Sequence, residues 1–197
     1  MLEKLVRDRN EPLQYLPRKE YGTVLDLGCG KGRFSHVLSE FSSEVYAADI
    51  DSNQLSSFNW FKQNIHRIQS AGQSLPFPDA TFDLVVCFTV IEHVPPEDNG
   101  QFLNEIYRVM KEDATLYIIN DAKFYRFLRK YRLLYPDRGP DPNHVNMITP
   151  RELERRLRNR NFSIRESHYT PFSNWSLRLD SKLLSPFALK GHVLCKK

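Results

Sequence analysis

Cysteine is scarce in this sequence: three among 197 residues, at Cys29, Cys87 and Cys195. An odd, widely separated set, with Cys87 and Cys195 inside apolar strand-like runs, supports neither a disulfide framework nor a zinc-ligand spacing. The thiols are therefore expected to be reduced, and no metal is expected. Long apolar runs are missing too. Nothing approaches the roughly 20 residues that cross a bilayer, and the opening "MLEKLVRDRNEPLQYLP" is broken by charges and prolines. A cytoplasmic location without a transmembrane segment is the expectation. Internal repeats, low-complexity tracts and interdomain linkers are also absent. With 41% hydrophobic and 12% aromatic residues, the chain is long enough to bury one full core, so residues 1–197 are expected to form a single domain.

What is present alternates. The β-rich "TVLDLG" is followed by Phe34, Val37, Leu38 and Phe41 at helical spacing, then by "EVYAAD" and the helix-like "NQLSSFNWFKQN". "IHRIQSA" and "FDLVVCF" continue as strands, a helix with Phe102, Ile106, Val109 and Met110 on one face comes next, and "TLYIIN" follows as a further strand. This βαβ rhythm predicts an α/β fold, a parallel sheet with helices on both faces. After Asn120 the rhythm breaks, and 121–148 reads as an insertion. It resumes at "TPRELERRL", where Thr149 and Glu152 form a capping box and Pro150 sits in the first turn. "FSIRESHYT" and "GHVLCKK" look like closing strands.

The glycines of "VLDLGCGKGRF" carry the first chemical signal. A strand ending in Gly-x-Gly before a helix brings backbone N–H groups close to a ligand, because glycine turns without a Cβ in the way. Gly28, Gly30 and Gly32 follow G-x-G-x-G, whereas the dinucleotide fingerprint needs a glycine where Arg33 stands, and no Gly-Lys-Ser/Thr completes a P-loop. Asp26 would repel a pyrophosphate and suits a ligand with an ammonium group. Asp49, about 20 residues on, can accept from both hydroxyls of a ribose. A ribose and an amino acid in one ligand suggest S-adenosylmethionine.

Further segments, "VYAADID", "QSLPFPDATFDLVVCFTVIEHV" and "EIYRVMKEDATLYIIN", occur in the order and spacing of the class I S-adenosylmethionine-dependent methyltransferases. Over Val24 to Asn120 the sequence resembles the type 11 group, which acts mainly on small molecules, and "HVNMITPRELERRLRNRNFSI" continues the likeness more loosely. The resemblance implies a Rossmann-like, doubly wound, seven-stranded and mostly parallel sheet with an antiparallel final strand. It implies Asp26, Gly28, Cys29, Gly30 and Gly32 around the methionine moiety, Asp49 on the ribose, Ile50 against the adenine and Phe88 beside the cofactor. Relatives usually carry an aspartate where this sequence has Ala71, so Gly72 and Gln73 would have to meet the adenine amino group.

Methyl transfer from a sulfonium mainly requires a held nucleophile and a dry site. A hydroxyl acceptor also needs a base, and histidine has a suitable pKa. His93, after the fourth strand, and His144, beyond the insertion, are the catalytic candidates; each could equally be a loop histidine bonded to backbone. Glu92 is expected to support the loop or cofactor. His36, His66, His168 and His192 fall in helix or strand patterns away from that edge.

In the insertion, Phe124, Leu128, Tyr131 and Tyr135 share helical spacing, with Arg126, Arg129, Lys130 and Arg132 around them. It could be a lid over cofactor and acceptor, or an ordinary amphipathic helix. Arg138, Arg151, Arg155, Arg156, Arg158 and Arg160 extend a basic bias within a net charge of +4. That bias could meet an anionic or lipid-linked acceptor, a membrane surface or a nucleic acid; a solvated helix face is the plainer reading. The expected function is methyl transfer to a small-molecule or lipid-linked acceptor, with a hydroxyl preferred. An RNA methyltransferase and a non-catalytic S-adenosylmethionine-binding regulator are the alternatives. The first lacks an Asn/Asp-Pro-Pro-aromatic element after the fourth strand, and the second sits poorly with an intact Asp26, glycine loop and Asp49.

Overall fold

The computed structural model describes residues 12–17, 19–59, 62–122, 130, 142–170 and 190–197. Seven strands form one sheet: β1 (Tyr21–Leu27), β2 (Ser42–Asp49), β3 (Ile65–Gln69), β4 (Phe82–Phe88), β5 (Met110–Asp121), β6 (Ser163–Thr170) and β7 (Lys190–Lys196). Their spatial order is β3-β2-β1-β4-β5-β7-β6. β1 to β5 pair in parallel, and β7 inserts antiparallel between β5 and β6. The strand order reverses direction at β1, between β2 and β4, and ligands of doubly wound sheets sit at the carboxyl edge of such a switch point. The expected sheet, with its antiparallel final strand, is the one observed.

Strand alternation sorts the core onto two faces. Leu84, Val86 and Phe88 of β4, with Tyr117 and Ile119 of β5, point toward α1 (Arg33–Leu38) and the 3-10 turn at Pro12–Tyr15. Val85 and Cys87, with Leu116 and Ile118, point toward α3 (Asn99–Val109) and α4 (Pro150–Arg158). Cys29, Cys87 and Cys195 are all buried free thiols.

The helix expected over "NQLSSFNWFKQN" is shorter than its pattern. α2 spans Ser52–Ser56, opened by the Asp51 carboxylate accepting from the Asn53 N–H, and Phe58 leaves the helix to lie fully buried beneath the glycine loop. Tertiary burial of that ring takes precedence over continued helical spacing. The residues that define the expected lid, Phe124, Leu128, Tyr131 and Tyr135, lie outside the described residues.

α4 begins as its sequence indicates: the Thr149 hydroxyl accepts from the Glu152 N–H at 3.2 Å, with Pro150 in the first turn. Arg155, Arg156 and Arg158 are held along the helix. Arg155 and Arg156 both bond Glu152, Arg158 bonds Glu154, and Arg160 reaches the Gly100 and Arg156 carbonyls. The hydrogen bonds from Arg155 and then Arg156 pull the Glu152 carboxyl down to about 2. Removing the cap by Thr149→Ala leaves the Glu152 N–H without its acceptor and is expected to destabilise the protein by about 1 kcal/mol, read as a lower urea midpoint at unchanged m-value.

Candidate functional site

The loop after β1 is built on left-handed backbone. Gly28, Gly30 and Gly32 have φ of 76°, 52° and 78°. Two of the three are also sterically enclosed: a Cβ on Gly28 would stand 2.2 Å from Val90 Cγ2, and one on Gly32 would stand 2.0 Å from Phe58 Cε2. Gly30 differs, because a Cβ there would meet nothing within 4 Å. The loop therefore leaves open space at one glycine and packs tightly at the other two.

The N–H groups expected to face a ligand are used within the protein. Gly28 and Cys29 both donate to the Ala48 carbonyl (2.8 and 3.0 Å), and Gly32 donates to the Cys29 carbonyl (2.9 Å). Gly30 donates to Asp49 Oδ2 at 2.7 Å. The loop therefore contributes shape and room, and the polar side chains beside it are carboxylates. Cys29 itself is buried, and burial, with Asp26 and Asp49 nearby, pushes its thiol well above the usual range.

Two carboxylates flank the loop. Asp49, at the end of β2, accepts from Gly30 through Oδ2 and from the Asp51 N–H through Oδ1 at 2.9 Å. Each oxygen keeps a further lone pair for a hydroxyl. Asp26 is buried in β1 and accepts from the Ser35 hydroxyl at 2.5 Å. Burial pushes its carboxyl up to about 6, against the opposing Ser35 hydrogen bonds, and Asp49 adds to the rise. Among the described residues no lysine or arginine pairs with either carboxylate. The pair therefore suits a ligand bringing its own positive charge.

Beyond Asp49, Ile50 is 68% exposed, an apolar side chain beside the carboxylate. Gly72 packs against Phe102, whose ring would lie 2.4 Å from an added Cβ. The Gln73 amide nitrogen donates to Asp98 at 3.2 Å, and the Gln73 carbonyl accepts from Gln101. Arg108 fixes the following loop, donating to the Leu75 and Phe77 carbonyls and to Asp79 while held by Glu105.

On the other side of the switch point, Phe88 is buried edge-on against Phe34 and Tyr117. The chain leaves β4 through a 3-10 turn at Ile91–His93. His93 is exposed, and its ring meets that of His144 at 4.7 Å between centroids, edge to face. The structure thus brings the two candidate histidines together. Glu92 between them and the core is fully buried: Oε1 accepts from the Asp121 N–H at 3.1 Å, and its backbone carbonyl accepts from Asn146 at 2.9 Å. Burial, with Asp121 adding, pushes the Glu92 carboxyl up to about 8.

The sequence reading missed the facing of Glu92 and Asp121, which only the β4–β5 pairing creates. His192 is likewise buried, bonded to the Tyr117 hydroxyl at 3.1 Å, and burial takes it down to about 3. His168 stacks on Tyr15 at 3.9 Å. His36 and His66 lie in α1 and β3.

Residues 25–118 match the family described as "Methyltransferase domain", the type 11 model. That stretch is similar to type 11 methyltransferase domains. Within the wider S-adenosylmethionine-dependent family the chain is 25% identical over 167 residues to the uncharacterized methyltransferase YcgJ of Bacillus subtilis, covering 78% of this chain and 60% of YcgJ. It is 30% identical over 110 residues to the ubiquinone/menaquinone biosynthesis C-methyltransferase UbiE of Vibrio campbellii, covering 51% of this chain and 41% of UbiE. The chain thus spans less than two thirds of either relative. The crystal structure of a SAM dependent methyltransferase from Archaeoglobus fulgidus superposes with a TM-score of 0.72 at 18% identity, covering 100% of this chain and 95% of that one. That likeness establishes the fold. S-adenosylmethionine is the methyl donor of this methyltransferase family.

The glycines of the methyltransferase loop separate into two kinds by their surroundings, and substitution should show it. Gly32→Ala, strained in φ and pressed onto Phe58, is expected to cost several kcal/mol, about 2–4. Gly30→Ala meets only the backbone strain, about 1 kcal/mol. Urea denaturation of both variants beside the wild type checks the difference.

Proposed function

We propose that this protein transfers a methyl group from S-adenosylmethionine to a small-molecule or lipid-linked acceptor at the carboxyl edge of β1, β2 and β4. The observation that carries the proposal is the pair of carboxylates, Asp26 and Asp49, without a cationic partner among the described residues, on either side of the open space at Gly30. The fit to an adenosyl amino acid is chemical: two anionic groups, a gap that a Cβ would narrow, and an exposed apolar Ile50.

Asp26 would hold the ammonium of the methionine moiety and Asp49 the ribose hydroxyls. Ile50 would lie against the adenine, with Gly28 and Gly32 fixing the path that keeps Gly30 open. Cys29 would shape the wall beside it. Phe88 would close the far side. With the Gln73 amide nitrogen on Asp98, Gly72 and Gln73 would meet the adenine through backbone and through the Gln73 carbonyl group of the side chain. When bound, S-adenosylmethionine supplies a methyl carried on a sulfonium, open to in-line displacement.

The chain's part in the reaction is to position, to exclude water and to take a proton. His93 or His144 would accept the proton of a hydroxyl acceptor, since the two rings meet at the edge where the acceptor must approach. A carbon acceptor is the second reading, supported by the similarity to UbiE, and it asks for the same base. Nucleic acid is a weaker partner, because the α4 arginines that would serve phosphates are bonded to Glu152, Glu154 and carbonyls.

Calorimetric titration with S-adenosylmethionine and S-adenosylhomocysteine is expected to give micromolar binding to the wild type, with NAD inert and Asp49→Ala at least about tenfold weaker (about 1.4 kcal/mol). No binding of either adenosyl ligand would overturn the proposal; binding without turnover on a broad acceptor panel would favour the regulator.

The same titration across pH tests Asp26. A carboxyl near 6 in the free protein is ionised at neutral pH, and an ammonium partner holds it ionised in the complex. Affinity should therefore be full above pH 6 and fall below it, about tenfold by one unit below the free value. In Asp26→Asn this dependence should vanish and the affinity should stay at the weaker level.

A further inference from the structure

Behind the paired histidine rings lies a cluster outside the cofactor loop: Glu92, Asp121 and His144 each offer a ligand atom, and these atoms all lie within 4.8 Å of one another. They come from three separate elements, the turn after β4, the end of β5 and the segment preceding α4. We propose that Glu92, Asp121 and His144 form a binding site for a divalent transition-metal cation.

The second observation is the state of the carboxylates. Glu92 is fully buried, its Oε1 takes the Asp121 N–H, and its Oε2 is buried with no hydrogen-bond partner among the described residues. Among the described residues Asp121 Oδ1 is also buried without a hydrogen-bond donor, and the Lys190 ammonium stands 3.5 Å from it. A buried carboxylate oxygen without a donor is costly, and a cation is one of the few groups that relieve it for two carboxylates at once.

Ligand atoms about 2.1 Å from a metal stand about 3–4.2 Å apart, so small side-chain rotations close the set. Two carboxylates and one imidazole suit Mn2+ or Zn2+ and leave coordination positions for other oxygens. The scaffold is already fixed for the purpose. The Glu92 backbone carbonyl accepts from the Asn146 N–H, and the Asn146 side chain donates to the Ile91 carbonyl, which ties the segment bearing His144 to the turn bearing Glu92. Lys190, with a side chain 41% exposed, can withdraw to solvent when a metal takes its place. If the methyl-transfer reading holds, a cation here would bind an acceptor oxygen as its anion; metal binding itself does not depend on that reading.

The test uses the full chain stripped with EDTA and titrated with MnCl2, following free Mn2+ by electron paramagnetic resonance, with ZnCl2 in parallel by calorimetry. Saturable binding of a single equivalent is expected, weakened about tenfold or more in His144→Ala and in Glu92→Gln. Lys190→Met, which removes the resident cation, should tighten binding several-fold. Circular dichroism melting and S-adenosylhomocysteine titration report folding and the cofactor site separately. Wild type that binds neither metal saturably overturns the proposal, as does His144→Ala binding both metals like the wild type. Should Glu92→Gln melt early, His144→Ala carries the comparison, because its side chain stands on a loop outside the strands. Loss of S-adenosylhomocysteine binding with metal binding intact would count against the cofactor reading alone.

Discussion

One carbonyl organises the loop at the switch point. Ala48, at the end of β2, accepts from both Gly28 and Cys29. That double bond closes the gap between the ends of β1 and β2 and forces the left-handed turn that only glycine takes without strain. From there Gly30 donates to Asp49, Gly32 lies flat on Phe58, and α1 starts with Ser35 placed to donate to Asp26. Both carboxylates thus reach their positions through one turn. A longer loop or a side chain at Gly28 would separate them, since Val90 occupies the space behind it.

The charge balance of the site follows from that geometry. Asp49 is eased by two N–H donors and sits half-exposed, so its charge is supported locally. Asp26 has the Ser35 hydrogen bonds and is otherwise enclosed by the apolar interior, which is why burial outweighs those bonds in setting its proton affinity. A carboxylate in that position is an unfinished interaction. In the proposed reading an ammonium would complete it, where a dinucleotide's pyrophosphate would meet repulsion.

Much of this was legible in the sequence, and the reasons are local. The strands of "TVLDLG" and "FDLVVCF" carry continuous apolar runs that only a two-sided sheet can bury, and the cap at Thr149 is written in Thr149, Pro150 and Glu152. Asp26, the glycines and Asp49 could be picked out as candidates because residue type at fixed spacing is itself a sequence signal. The use of the loop's N–H groups was not readable, since which acceptor they find depends on how far β2 extends past β1. The end of α2 was hidden as well, because Phe58 fits a helical pattern and a buried wedge equally well. The basic bias of α4 overstated its availability: Glu152 and Glu154 stand at i, i+3 and i+4 spacing and hold the arginines along the helix.

The histidine side of the candidate site depends on pairing between distant segments. β4 and β5 lie side by side, so the residue following β4's turn, Glu92, comes against the end of β5, and the Asp121 N–H closes on its carboxylate. Asn146 then bonds both the Ile91 and Glu92 carbonyls, which draws the chain before α4 over the same turn and sets His144 against His93. No single stretch of sequence contains this arrangement, because each partner belongs to a different segment. A change in any of the three bears on the separation of the histidines. In the proposed reading, acceptor choice rests on these segments and cofactor binding on the glycine loop, with Val90 behind Gly28 as the contact between them.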